Sequence, residues 1–148
     1  MKKSMLTSAM LLPFILLFSV NYAVADLKIN PGEWKYKMKT KIKGLGIPLP
    51  AIPVKFSSCI TQSNPVMQSP EMKKAGCKIV NMKVKGNLVT YTGRCTSGDS
   101  VTDTNFKNTY QTNSMEGTFD QVSKMAGKVQ STATGTLTGK RVGACKEK

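Results

Sequence analysis

Lysines at every second position form the clearest chemical pattern in this sequence. Lys35, Lys37, Lys39, Lys41 and Lys43 alternate with Trp34, Tyr36, Met38, Thr40 and Ile42. Because neighbouring side chains of a β-strand point to opposite faces, the five lysines would share one face at a spacing of roughly 6.5 Å. Such a strand presents either a cationic row for an anionic partner or a well-hydrated outer surface over an apolar core. The pattern itself leaves both alternatives open.

The four cysteines predict disulfide bonds. Cys59, Cys77, Cys95 and Cys145 all follow the N-terminal apolar segment. An even number of cysteines in a small exported domain favours disulfides, whereas a zinc site would need a C-x-x-C spacing that this sequence lacks. We predict that Cys59 pairs with Cys77 and that Cys95 pairs with Cys145. The first bridge would close a local loop, and the second would tie the end of the last strand to the middle of the sheet.

Catalytic chemistry has little support in the sequence. The chain contains no histidine, so serine, cysteine or metal-dependent catalysis that uses imidazole is excluded in its usual forms. Its 8 acidic residues show no spacing typical of a glycosidase pair. A serine nucleophile with a lysine base stays formally open, although no motif supports it. We therefore expect a non-enzymatic protein with no cofactor and no metal site.

The N-terminus has the order of a secretory signal peptide. Two lysines precede an apolar run over residues 11–20, and an A-x-A cleavage motif follows at residues 23–25. The apolar run is shorter than the roughly 20 residues that span a bilayer. We predict that residues 1–25 are cleaved and that residues 26–148 form one domain, which does not span a membrane. We expect this domain in the periplasm or, alternatively, secreted to the exterior.

The charge of the chain is strongly positive and unevenly distributed. The full sequence carries +14, and loss of two lysines with the signal peptide leaves +12. Residues 28–85 hold twelve basic residues against only Glu33 and Glu71. Such an imbalance steers a protein toward nucleic acid, anionic lipid headgroups or acidic glycans. Alternatively, it provides only solubility.

Turn residues divide the exported part into short β-rich runs without helical periodicity. The predicted strands are residues 33–43, 54–60, 77–85, 88–95, 102–112, 115–122 and 128–140. The pair on either side of Gly86 and Asn87 is the clearest hairpin. One short helix is predicted near residues 65–74. Many short strands with close turns predict a single-domain, all-β antiparallel meander, either a strongly curved sheet or a partly open barrel.

Two candidate binding regions follow from the strand patterns. A cationic face would combine the lysines of the first strand with those of the hairpin: Lys35, Lys37, Lys39, Lys41, Lys43, Lys83 and Lys85. An apolar pocket inside the sheet would be lined by Trp34, Tyr36, Met38 and Val80, with the proline-rich residues 47–54 as its cap. In the hairpin, alternation predicts Val80, Met82 and Val84 on one face and Lys83 and Lys85 on the other.

The landmarks of the chain resemble a known family. They are Pro31-Gly32-Glu33-Trp34, a proline-rich connection, Cys59 in a short strand, Cys95, and the C-terminal residues 139–145. Their order and spacing resemble the small exported bacterial proteins described as domain of unknown function 3617. The resemblance implies a periplasmic or secreted antiparallel β domain with paired cysteines, and it supplies no catalytic residues. The lysine density at residues 35–43 departs from that pattern, so a basic-face function would be particular to this chain.

We expect the protein to bind an anionic envelope component, lipid or glycan, through the cationic face. Contact with nucleic acid is not expected, because export removes most of it from reach. A structural domain that acts through a protein partner is the alternative, and a carrier of a small hydrophobic ligand is another.

Overall fold

The computed structural model describes residue 27, residues 29–44 and residues 50–146. The predicted signal peptide lies outside the described residues, and so do residues 47–49 of the predicted pocket cap, residues 47–54.

The described residues form seven antiparallel strands and one short helix, which confirms the predicted all-β fold. The elements are β1 (Gly32–Lys43), β2 (Ile52–Ile60), α1 (Pro70–Lys74), β3 (Lys78–Lys85), β4 (Leu88–Ser97), β5 (Ser100–Tyr110), β6 (Ser114–Met125) and β7 (Lys128–Gly143). The predicted hairpin is present as β3 and β4. The predicted helix is shorter than expected and begins at Pro70, after Ser69 caps it by accepting a hydrogen bond from the Met72 amide.

One sheet contains all seven strands in the order β2-β1-β7-β6-β5-β4-β3. Strands β3 to β7 form a meander, and β7 then pairs with β1, so the N-terminal strand lies beside the C-terminal one. The sheet is open, with β2 and β3 as its edges. Strand β1 is therefore an interior strand with a partner on each side.

The sheet is strongly curved. Trp34 on β1 and Tyr110 on β5 are three strand spacings apart, which would be roughly 14 Å in a flat sheet. Their rings nevertheless meet edge to face, with centroids 5.7 Å apart. The inner face is therefore concave, and its aromatic side chains meet across the fold.

The concave face holds the hydrophobic core. Every second residue of β1 points into it, beginning with the fully buried Trp34 and Tyr36. The segment between β2 and β3 covers this core, because Val66 and Met67 pack into it and two core tyrosines bind its backbone. Tyr110 donates to the Pro65 carbonyl at 2.9 Å, and Tyr91 donates to the Met67 carbonyl at 3.4 Å.

Two glycines on the concave face of β7 make room for aromatic rings. The ring of Tyr36 lies over Gly139, so a Cβ there would stand 2.7 Å from Tyr36 Cε1. The ring of Phe119 covers Gly135 in the same way. Because these two glycines have no side chain, large rings of the neighbouring strands can lie flat against the β7 backbone.

The predicted disulfide pairing is wrong. Cys59 pairs with Cys145 and Cys77 pairs with Cys95. Cys77 and Cys95 come together because β3 and β4 form an antiparallel hairpin, with Lys78 opposite Arg94. Cys59 meets Cys145 because β2 and β7 flank the same strand, β1.

The predicted side-chain alternation in β3 is also wrong. Val80 lies opposite Thr92, and Lys83 lies opposite Thr90, so β3 has one extra residue between them. Asn81 within this bulge has a positive φ of 55°. A bulge of one residue changes the face on which the following side chains lie. Val84 consequently packs against the core, whereas Val80 does not.

Candidate functional site

The five lysines of β1 lie exposed on the convex face, opposite the core. Two more lysines, which the sequence pattern did not single out, extend this row onto both neighbouring strands. Lys55 on β2 lies directly opposite Lys37, and Lys140 on β7 lies directly opposite Lys35. We call the set Lys35, Lys37, Lys39, Lys41, Lys43, Lys55 and Lys140 the lysine surface. It covers three adjacent strands.

The residues of β7 that lie opposite four of these lysines are polar but uncharged. Across β7, the lysines at 37, 39, 41 and 43 lie opposite four exposed threonines, Thr138, Thr136, Thr134 and Thr132. Lys39, Lys41, Thr118, Thr134 and Thr136 line a shallow groove. Ammonium groups and hydroxyls can both donate hydrogen bonds to an anion.

Few carboxylates neutralise this surface. Glu33 lies on the same face of β1, two residues before Lys35 and roughly 6.5 Å from it. Glu116 and Asp120 lie on β6, two strands from β1 and roughly 10 Å away along the sheet. Asp120 there accepts a hydrogen bond from Asn105. Among the described residues, the one salt bridge joins Arg94 and Asp103, on β4 and β5. The Arg94 guanidinium beside Asp103 holds the pKa of that carboxyl below its usual value.

Lys83 and Lys85 do not join the lysine surface. Both are exposed on the convex side of β3. Strand β3 is the opposite edge of the sheet, five strand spacings or roughly 24 Å from β1 along the sheet. The structure therefore separates the lysines that the sequence suggested as one face.

A cavity of 410 Å³ lies on the concave face. Its apolar lining includes Met38, Phe56, Met72, Phe106 and Phe119, which come from four strands and helix α1. Protein interiors rarely contain voids much larger than a water molecule, and ligand pockets span about 300–1,000 Å³. The space therefore has the size of a binding pocket.

The structure brings one of the four predicted pocket residues, Met38, to this cavity. Trp34 and Tyr36 instead fill the core at the other end of the sheet, where they stack on each other with centroids 6.5 Å apart. Val80 lies on the convex face because of the bulge in β3. The actual lining comes mainly from strands whose inner faces meet only through the curvature of the sheet.

The core contains a cluster of buried polar groups that do not line the cavity. Burial raises the pKa of Tyr36 and Tyr91, and it raises the pKa of Tyr110 to about 12. Asn108 is also fully buried, and neither its amide nor the Tyr36 hydroxyl has a hydrogen-bond partner among the described residues. These tyrosines stay neutral at physiological pH, so the cluster adds no charge to the interior.

The landmark residues of the two chain ends meet at the end of the sheet away from the cavity. The Trp34 indole donates to the Asn30 carbonyl at 3.2 Å, and the Arg141 guanidinium donates to the Pro31 carbonyl at 2.8 Å. Gly32 has a φ of 147° and would place a Cβ 2.9 Å from Arg141 Nε. A side chain there would clash, so these residues hold the termini of the fold together and do not form an open site.

The described residues show no cluster of side chains that could hold a metal ion. None of their helices is long and apolar enough to cross a bilayer. Two disulfides indicate that the domain folds in an oxidising environment outside the cytoplasm.

The fold defines a small, disulfide-linked, single-sheet β domain. The chain belongs to the family described as protein of unknown function (DUF3617), which matches residues 29–145. No curated protein and no solved structure shows a significant match.

Proposed function

We propose that this protein is a non-enzymatic periplasmic protein that binds an anionic component of the cell envelope, lipid or glycan, through the lysine surface. The observation that carries the proposal is the arrangement of seven lysines on three adjacent strands, with two pairs of lysines directly opposite each other.

This arrangement is unfavourable for folding alone. Like charges directly opposite each other in antiparallel strands destabilise a sheet, and such pairs are worth about 0.2–1 kcal/mol. The pairs Lys37 with Lys55 and Lys35 with Lys140 both have this relationship. An anion that bridges the ammonium groups would remove the repulsion. Binding would therefore restore the stability that the free protein loses to the like-charge pairs.

Protection against aggregation does not explain the row of lysines. Lysines often protect the exposed edge of a sheet from pairing with other chains. Strand β1 is not an edge, because β2 and β7 pair with its two sides. The edge strand β2 has its own protection in Pro53, which cannot donate a backbone hydrogen bond, and in Lys55.

The proposal is tested with two variants, each of which removes three positive charges from a different part of the sheet. The variant K37Q/K39Q/K41Q removes them from the lysine surface, and K78Q/K83Q/K85Q removes them from β3 as a control of equal net charge. Each lysine near an anionic bilayer contributes about 1 kcal/mol, so the first variant should bind phosphatidylglycerol vesicles about 100-fold more weakly at low salt. The control variant should keep an affinity for these vesicles much closer to that of the wild type.

Two further arms identify the source of the anion. Heparin as a soluble polyanion tests glycan binding, and phosphatidylcholine vesicles test whether charge is required. Wild-type binding to the preferred anionic partner should weaken as salt rises. Equal losses in both triple variants would show that only total charge matters, and that result would overturn the proposal.

A further inference from the structure

We propose that the concave cavity is a second binding site, separate from the lysine surface, and that it takes one single-chain amphiphile with an uncharged polar end. The hydrocarbon chain would lie against Phe106, Phe119 and Met38, and the polar end would lie beside Gln121 and Ser131.

The polarity of the cavity changes from one row of residues to the next. Pairing across the sheet places Thr40, Phe119 and Phe106 in one row of the inner face. The next row toward the sheet end contains Gln121 and Thr104, and the one beyond it contains Ser131, Ser123 and Thr102. The cavity is therefore apolar toward the core and increasingly polar toward the end of the sheet.

The side chains of the polar rows form hydrogen bonds with one another and can still form further hydrogen bonds. Thr104 donates to Gln121 Oε1 at 3.3 Å, Thr102 and Ser123 share a hydrogen bond of 3.0 Å, and Gln121 Nε2 donates to Ser123 at 3.5 Å. An amide and a hydroxyl can each make more hydrogen bonds than these. The groups can therefore bind a hydroxyl or ester at the polar end of a ligand.

The apolar part of the cavity can adapt to a flexible chain. Three methionines line it: Met38 from β1, and Met67 and Met72 from the covering segment. Methionine side chains are unbranched and polarisable, and they adjust to irregular ligands. The volume of 410 Å³ corresponds to roughly a dozen groups of about 30 Å³ each. That size fits a chain of about ten carbons with a small head.

The charge of the cavity lining determines which class of ligand can bind. Every side chain that lines the cavity in the described part of the molecule is uncharged. An ionised head placed there would lose hydration without gaining a partner of opposite charge. The lysine surface lies on the other face of the sheet and cannot supply that partner.

The chemistry is tested by displacement of N-phenyl-1-naphthylamine, an uncharged fluorescent probe. The probe should bind saturably, and 1-decanol should displace it at concentrations at least about tenfold lower than decanoate at pH 8, because only decanoate is charged. Equal displacement by both compounds would overturn the uncharged-end assignment. A failure of the wild type to bind the probe would overturn the site itself.

The location is tested with a matched pair of substitutions. Ala133 is buried and lines the cavity, whereas Ala144 is exposed beyond the other end of β7. Ala133→Phe should weaken probe binding at least about tenfold by filling the space, and Ala144→Phe should leave it unchanged. If Ala133→Phe does not unfold cooperatively, Ser131→Phe on the polar rim replaces it. Probe binding at wild-type strength by a folded cavity variant would overturn the proposal.

The two binding proposals can fail independently. The variant K37Q/K39Q/K41Q should bind the naphthylamine probe normally, and Ala133→Phe should bind phosphatidylglycerol vesicles normally. Loss of probe binding in the lysine variant would place the probe on the lysine surface, which would contradict the cavity proposal.

Discussion

Cys59 on β2 and Cys145 beyond β7 form a disulfide that passes across the beginning of β1. Glu33 of β1 lies between them in register, with Cys59 opposite on one side and Gly143 on the other. The bridge therefore joins the two neighbours of β1 at the end of the sheet where Trp34 and Arg141 also lie. It closes a sequence separation of 86 residues, compared with 18 for Cys77 and Cys95.

The long-range disulfide should stabilise the fold more than the hairpin disulfide. The chain-entropy relation gives about 4.5 kcal/mol for the longer loop and about 3 kcal/mol for the shorter one. We expect C59S/C145S to lower the free energy of unfolding by about 1.5 kcal/mol more than C77S/C95S. Urea denaturation of both double variants checks the order. A larger loss in C77S/C95S would contradict this account.

Gly139 should not tolerate a side chain. A Cβ at this position would stand 2.7 Å from Tyr36 Cε1 and 2.8 Å from Cδ1 in the core, and overpacking of this kind costs about 1–3 kcal/mol. We expect Gly139→Ala to lose that much stability in urea denaturation. Gly143→Ala is the matched control, because nothing lies within 4 Å of its added Cβ. Similar stability losses in both variants would argue against the ring contact as the cause.

Alkaline pH should unfold the protein steeply above pH 10. Of the 4 tyrosines, Tyr22 lies in the predicted signal peptide, and the other three are buried with raised pKa values. Below pH 10 these groups are protonated in both states, so their contribution to stability is complete. Above it the unfolded chain releases protons that the folded chain retains, and stability falls by about 4 kcal/mol per pH unit up to about pH 12.

Phenolate absorbance at 295 nm and circular dichroism follow this transition in parallel. The two signals should change together, because no exposed tyrosine remains in the predicted mature chain. Tyr91→Phe should reduce the slope of stability against pH by about a third. Phenolate formation near pH 10 with intact secondary structure would show that the rings are accessible, contrary to the buried arrangement.

Lys55→Glu should raise stability while it weakens anion binding. The new carboxylate would lie opposite Lys37, and replacing a like-charge pair by an opposite one is worth about 0.2–1 kcal/mol. The change of two charge units should weaken binding to phosphatidylglycerol vesicles about 30-fold at low salt. Lys85→Glu makes the same charge change on β3, opposite Leu88. It should raise stability less and weaken vesicle binding less than Lys55→Glu does. Weaker stability with unchanged binding in Lys55→Glu would refute the role assigned to the pair.

Local patterns predicted the parts of the fold that depend on neighbouring residues in the chain. The alternation along β1 correctly separates the core residues Trp34 and Tyr36 from the exposed lysines. The turn at Gly86 and Asn87 correctly predicts the hairpin of β3 and β4. The landmark motifs resemble the family that matches residues 29–145. Each of these features depends on backbone periodicity, turn chemistry or residue order, which a single segment already contains.

Only the tertiary structure determined which strands are neighbours, and the candidate sites depend on that. The partners of Cys59 and the addition of Lys55 and Lys140 to the lysine surface follow from β1 lying between β2 and β7. The position of Val80 follows from a single extra residue in β3. The cavity exists because curvature brings Phe56 on β2 and Cys95 on β4 to one space. These relationships join residues far apart in sequence, and their free energy comes from packing across the whole sheet, so no local pattern could predict them.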